Sequence, residues 1–130
     1  MKSEMMEKAR KALASAQLLL DAGDSDGAAN RAYYAMFDAA SAALAWAGAT
    51  GLPGRPKTHG GLIGSIGLHL VRTGRLAAEF GRSFNQVQEL RIAGDYVAEP
   101  VPLDKARWAV DAANGFVTAI EQLLTTEPPS

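Results

Sequence analysis

A chain of 130 residues, 48% hydrophobic and 21% charged, has the size and composition of one globular domain with a core of its own. Its formal net charge of −1 excludes a global field that would recruit nucleic acid or anionic membrane. The absence of cysteine excludes disulfides, thiolate catalysis and Cys-based zinc sites, and it fits the cytoplasm as the expected location.

Helical spacing dominates, and no stretch alternates with a period of two. The first helix is expected from about Glu4 to Asp21, with Met5, Ala9, Leu13, Ala16 and Leu20 along one stripe. The N-terminal run is acidic as well as basic and has no apolar stretch of the kind a secretory signal needs. Gly23 ends this helix, and Asp24 or Ser25 can cap the next. The second helix covers about Gly27–Ala47 and is apolar on most sides, which places it at the centre of a bundle. Glycine and proline break the chain over 48–61. A short, glycine-rich third helix follows at about Gly61–Thr73, and a fourth at about Leu76–Ala98. The fifth starts with Pro102 in its first turn and runs to about Leu124, with Leu103, Ala106, Val110, Ala113, Val117 and Ile120 inward. Trp46 and Trp108 read as packing residues. The expected architecture is all-α: an antiparallel bundle of four long helices plus one short one, a single domain over 1–126 with a frayed tail at 127–130. No window approaches the ~20 apolar residues of a membrane span.

Charge falls in unusual places on this pattern. At about 100° per residue, Arg31, Tyr34 and Asp38 share one face of the second helix. On the fourth, Arg91 falls inside the stripe of Phe80, Phe84, Val87 and Leu90, with Asp95 at its edge and Tyr96 on the opposite side. An arginine in an apolar stripe needs a partner, because desolvating a charge is costly. Two readings fit. Arg91 pairs with Asp95 or Asp38 in an ion-pair lattice that fixes packing, or Arg31 and Arg91 line a polar cleft that meets a phosphate.

The run RAYYAMFD at 31–38, Thr58-His59-Gly60-Gly61, Arg91 with Asp95-Tyr96, and Ala113 with Phe116-Val117 occur in that order. Together they resemble the higher eukaryotes and prokaryotes nucleotide-binding (HEPN) domain, in its small stand-alone prokaryotic branch. The resemblance spans nearly the whole chain. It implies an all-α homodimer with a cleft near the two-fold axis. It also implies kinship with RNA-cleaving toxins and with proteins paired to a minimal nucleotidyltransferase in toxin–antitoxin systems. Cleaving members carry Arg-x(4–6)-His, in which the imidazole handles protons and the guanidinium steadies the scissile phosphate.

The chain departs from that pattern. Its only histidines are His59 and His69. Arg91 carries over onto the family's arginine, but the imidazole does not. Asp38 stands where relatives often have a histidine after the phenylalanine of the second helix. Asp95 and Tyr96 are the remaining candidates for proton handling, yet an ordinary Asp titrates near ~4 and an ordinary Tyr near ~10.

The glycine-rich loop is no Walker motif, since Lys57-Thr58 follows proline and no strand precedes it. His59 reads as a helix-entry or cleft residue and His69 as a packed or interface residue. With two histidines and no paired spacing, neither a metal site nor a cofactor is expected. Residues 55–82 hold five basic side chains against Glu79 alone, either a solvated patch or a contact for RNA backbone. The functional expectation is therefore a HEPN-type module that binds RNA or nucleotide through Arg31, Tyr34, Asp38 and Arg91 without the usual cleavage motif. The alternatives are an active metal-independent ribonuclease toxin using Arg91 with Asp95 or Tyr96, and a non-catalytic structural partner of a nucleotidyltransferase.

Overall fold

Apolar residues at three- and four-residue intervals decide what α1 (Lys2–Asp21) buries. Met6, Ala9, Leu13, Ala16 and Leu20 turn inward, while Glu4, Glu7, Lys8 and Lys11 stay at the surface. The computed structural model describes residues 2–48, 59–96 and 99–128. Gly23 closes α1 at a φ of +82°. Its N–H donates to Leu20 O and that of Asp24 to Leu19 O, the bond pair that closes a helix over a left-handed glycine. Asp24 then caps α2 (Ser25–Trp46), its Oδ1 accepting from the Gly27 N–H at 2.9 Å. So short a connection makes α1 and α2 neighbours.

α2 is the central element, as its all-round apolarity requires. Ala28, Ala29, Ala32, Ala35, Ala39, Ala40, Ala42 and Ala43 are fully buried, and α2 packs against α1, α3, α4 and α5. Methyl-sized side chains let the neighbouring helices come close, and the larger Tyr33, Met36 and Leu44 fill the space between. Among the described residues there is no strand, and no helix is long and apolar enough to cross a membrane.

α3 (His59–Ile66) continues into a π-helical turn at Gly67–Val71, where the spacing alone predicts uninterrupted α-helix. The Arg72 N–H reaches back five residues to Gly67 O at 2.9 Å. Glycine at 64 and 67 weakens the local helix, so packing sets the geometry. The wider turn keeps Leu62, Ile66 and Leu70, four residues apart, on one buried line. Gly74, at φ +78°, ends the segment, with Arg75 N–H donating to Leu70 O. α4 (Ala78–Tyr96) therefore starts two residues later than expected, because the Leu76 N–H also bonds Leu70 O. The expected break at 48–61 falls largely outside the described residues.

α5 (Leu103–Leu124) buries Ala106, Ala109, Val110, Ala113, Phe116, Val117 and Ile120. Two expectations are corrected here. Pro102 caps the helix from outside, at ψ 140°, instead of lying in its first turn. Leu103 and Trp108 are exposed, Trp108 by 42%: Leu103 is the first residue of the helix, and Trp108 lies on its outer face. The residues just after α5 are tied to α2, since Trp46 Nε1 donates to Thr126 O at 3.2 Å. Glu127 and Pro128 are exposed, and 129–130 lie outside the described residues. Arg10 and Glu121 join α1 to α5 in a salt bridge that holds the Glu121 carboxyl below its ordinary range.

One polar contact docks the α4–α5 connection onto the start of α2. Asp26 Oδ1 accepts from the Val101 N–H at 2.7 Å, and a Cβ added at Gly94 would lie 3.1 Å from both that oxygen and Val101 Cγ2. Asp26→Ala orphans the N–H of a residue that is itself buried. It is expected to cost about 1–2 kcal/mol of stability, measured by urea unfolding.

Candidate functional site

The buried line of α4 is Phe84, Val87 and Arg91, so helical spacing alone carries a guanidinium into the interior. Arg91 is 9% exposed. Its Cζ lies 4.8 Å from the centroid of the Tyr33 ring and 5.9 Å from that of Tyr34, and Nη1 donates to Asp95 Oδ2 at 3.3 Å. That distance is long for a charge-assisted hydrogen bond. The Asp95 side chain is 31% exposed, so the ion pair opens toward solvent at one end. Of the two pairings left open for Arg91, this is the one within its own helix.

Tyr33 and Tyr34 come from the centre of α2 and meet edge to face, 5.2 Å between centroids. Phe84 lies 5.7 Å from Tyr33 and 5.2 Å from Phe116, so the platform under Arg91 is anchored in α2, α4 and α5 together. Burial raises the Tyr33 hydroxyl pKa above its ordinary value, against the pull of the Arg91 charge, so this phenol stays protonated at neutral pH.

Arg31 approaches the same cluster one turn earlier on α2. Its Cζ stands 5.6 Å from the Tyr34 centroid, so one ring lies within 6 Å of both guanidinium groups. The two arginines are thus gathered at one place, Arg31 and Tyr34 half-buried and Arg91 buried. Asp38, one turn beyond Tyr34, is half-buried too. Burial pushes its carboxyl above the ordinary range, while Lys8 and Arg31 pull it back. With the folded-state pKa raised, the native state binds the proton more tightly than the unfolded chain. Stability therefore falls as pH rises from the unfolded value through the folded one. Asp38→Asn is expected to raise the melting temperature at pH 7 and to leave it unchanged near pH 3, where wild type is protonated in both states.

The remaining candidates lie apart or beyond view. Tyr96 is 79% exposed on the outside of the last α4 turn. His59 opens α3, but its side chain lies outside the described residues. His69 sits half-buried in the π-helical turn. Among the described residues no three histidine or carboxylate side chains gather as a metal site would require. Open grooves also run along the α1–α5 seam, past Arg10, Gln17 and Asp111, and between α4 and α5 beside Trp108; none of the arginine cluster lines them.

Sequence reasoning missed two members of the cluster. Tyr33 reads as plain core, and its use as a platform depends on how α4 crosses α2. Lys8 reads as plain surface, because nothing local links α1 to Asp38.

A model of the HEPN domain matches residues 3–123. A UPF0332 protein of Thermotoga maritima is 36% identical over 120 residues, covering 90% of this chain and 86% of that one. A UPF0332 protein of Gloeobacter violaceus is 38% identical over 93 residues, 72% of this chain and 70% of that one. A protein of Methanocaldococcus jannaschii, named as a candidate toxin, is 30% identical over 120 residues, 92% of this chain and 86% of its own length.

Proposed function

Because the chain belongs to the HEPN domain family, we propose that it is a toxin-like module that holds RNA or a nucleotide by phosphate at the Arg91–Tyr34–Arg31 cluster. One observation carries this reading: two arginines from different helices converge on a single partly exposed tyrosine ring. A guanidinium held over an aromatic ring can still direct N–H groups at an oxyanion, and the ring limits its rotamers before a ligand arrives. An incoming phosphate competes with Asp95 for Arg91 at the open end of the pair. In this reading Arg31 supplies the second charge, and the Tyr34 hydroxyl donates a hydrogen bond to the ligand. Asp38, within the field of Arg31 and Lys8, steadies Arg31.

Binding in this reading proceeds without the imidazole route to cleavage. With four, five or six residues between, the positions after Arg91 hold Tyr96, Val97 and Ala98. A second copy of the chain, meeting the first around this cluster, and a minimal nucleotidyltransferase complete the proposed assembly. A purely structural role is the rival, favoured by the intrahelical Arg91–Asp95 pair, which fixes packing with no ligand at all.

Expression of wild type and Arg91→Ala, scoring growth and total RNA integrity together with ATP and RNA affinity of the purified proteins, tests the proposal. Lower affinity in the variant with intact RNA in both supports phosphate binding. RNA fragments that appear only with wild type would indicate the ribonuclease alternative. Unchanged affinity with a lower melting temperature leaves the structural role.

A further inference from the structure

The charged surface at the α3–α4 corner is unused by the site above. Arg72 and Arg75 project from the turn after the π-helical segment, and Arg82 from the second turn of α4; all three are exposed. Among the described residues no carboxylate lies within 4 Å of any of them, since the ion pairs found there are Arg10–Glu121 and Arg91–Asp95. Glu79 is the one acidic residue between 59 and 82. The corner is thus a concentration of positive charge in a chain whose net charge is −1.

The turn that carries it is held rigidly. The N–H groups of Arg72, Gly74, Arg75 and Leu76 all bond carbonyls of residues 67–71, and Thr73 Oγ1 donates to His69 O at 2.8 Å. Leu70 and Leu76 anchor it in the core. A Cβ built at Gly81 would lie 3.6 Å from Val71 Cγ2, so the start of α4 packs directly on the π-helical turn. Arg72 and Arg82 are the chain neighbours of that contact, and both are exposed. Exposed arginines carried on a fixed backbone turn, without internal counter-charges, favour a ligand that presents several anions in a row.

We propose that this corner is a second contact for an RNA strand, binding its phosphate backbone without regard to sequence. Arg82 and Arg91 are nine residues apart on α4, which puts them ~180° apart around the helix and ~13 Å along it. A mononucleotide at Arg91 does not reach both residues; a polynucleotide passing from one side of α4 to the other does. The inference rests on the phosphate-binding reading of the arginine cluster and assigns its ligand to RNA instead of a free nucleotide.

The test compares wild type, Arg72→Ala/Arg75→Ala and Arg91→Ala for binding of ATP and of a labelled 20-nucleotide oligouridylate across 50–300 mM salt. The corner variant is expected to bind ATP as wild type does and to lose about tenfold in RNA affinity at low salt. Its slope of log K against log salt should fall by about 1.4, roughly 0.7 per lost phosphate contact. Circular dichroism melts check that these exposed substitutions leave the fold intact. Wild-type RNA affinity and slope in the corner variant would overturn the proposal, while loss of ATP binding in Arg91→Ala would leave the cluster reading in place. The converse, RNA lost at the corner and nothing lost in Arg91→Ala, removes the cluster reading and overturns the corner's role as a second contact beside it. If wild type binds no RNA but binds phosphatidylserine vesicles through the corner, the partner is a membrane surface and the RNA proposal fails.

Discussion

Arg91→Ala is expected to lower affinity for ATP and for short single-stranded RNA at least tenfold while costing only about 1–3 kcal/mol of stability. The two effects separate because of where the pair lies. Truncating one partner of a fully buried ion pair costs about 3–5 kcal/mol, chiefly because the other charge is left stranded. Asp95 is not stranded, since its side chain is 31% exposed and water can take over. What is lost is the stacking on Tyr33 and Tyr34, about 0.5–2 kcal/mol, and a pair worth about 0–1 kcal/mol. Relief from burying the guanidinium offsets part of that. Binding has no such compensation, because a phosphate at the cluster loses its preorganised donor. Isothermal titration gives the affinity and urea unfolding gives the stability. Arg91→Lys keeps the charge but not the flat fork, so it should recover stability better than affinity. An alanine variant that loses stability but keeps wild-type affinity would confine Arg91 to packing.

The largest loss of stability is expected at Phe84. Its ring is fully buried and touches Tyr33 of α2 and Phe116 of α5 from its own place on α4. Phe84→Ala removes a ring with no neighbour free to refill the space, at a cost of about 3–5 kcal/mol. Domains of this size are stable by about 5–15 kcal/mol, so a large share of the total is lost. Urea unfolding should show a lower midpoint with an unchanged m-value, since the folded and unfolded surfaces barely change. Phe84→Leu should cost distinctly less. The same variant bears on the site, because Phe84 braces the ring on which Arg91 lies. Where Phe84→Ala is still folded, ligand affinity should fall with it. If affinity is untouched, the Tyr33 platform does not position Arg91.

These two residues also mark how far the sequence is legible. The interval from Phe84 through Val87 to Arg91 is the helical repeat itself, so the burial of Arg91 can be read from one segment. So can the capping of α2 by Asp24 and the central place of α2, because local bonds and single-helix periodicity decide both. Trp108 shows how size misleads within one helix: large and aromatic, it reads as core, yet the period of α5 itself puts it on the outer face, away from Ala106, Val110 and Ala113. Tyr33 and Lys8 show the limit between helices. Their parts in the site depend on how α4 and α1 cross α2, and no local pattern records a crossing angle. The π-helical turn belongs with them. Glycine content announces a weak helix there, but only the fit of Leu70 into the core decides which carbonyl Arg72 bonds.

The tight seat at Gly94 reaches beyond stability. A carboxylate near the front of the chain, a hydrogen in place of a side chain two-thirds along it, and a valine in the next connection occupy one small volume. A change at any one of the three presses on the other two. A lineage that enlarges position 94 must shrink or re-aim its neighbours at 26 or 101, so these positions are expected to change together while the surrounding surface drifts independently.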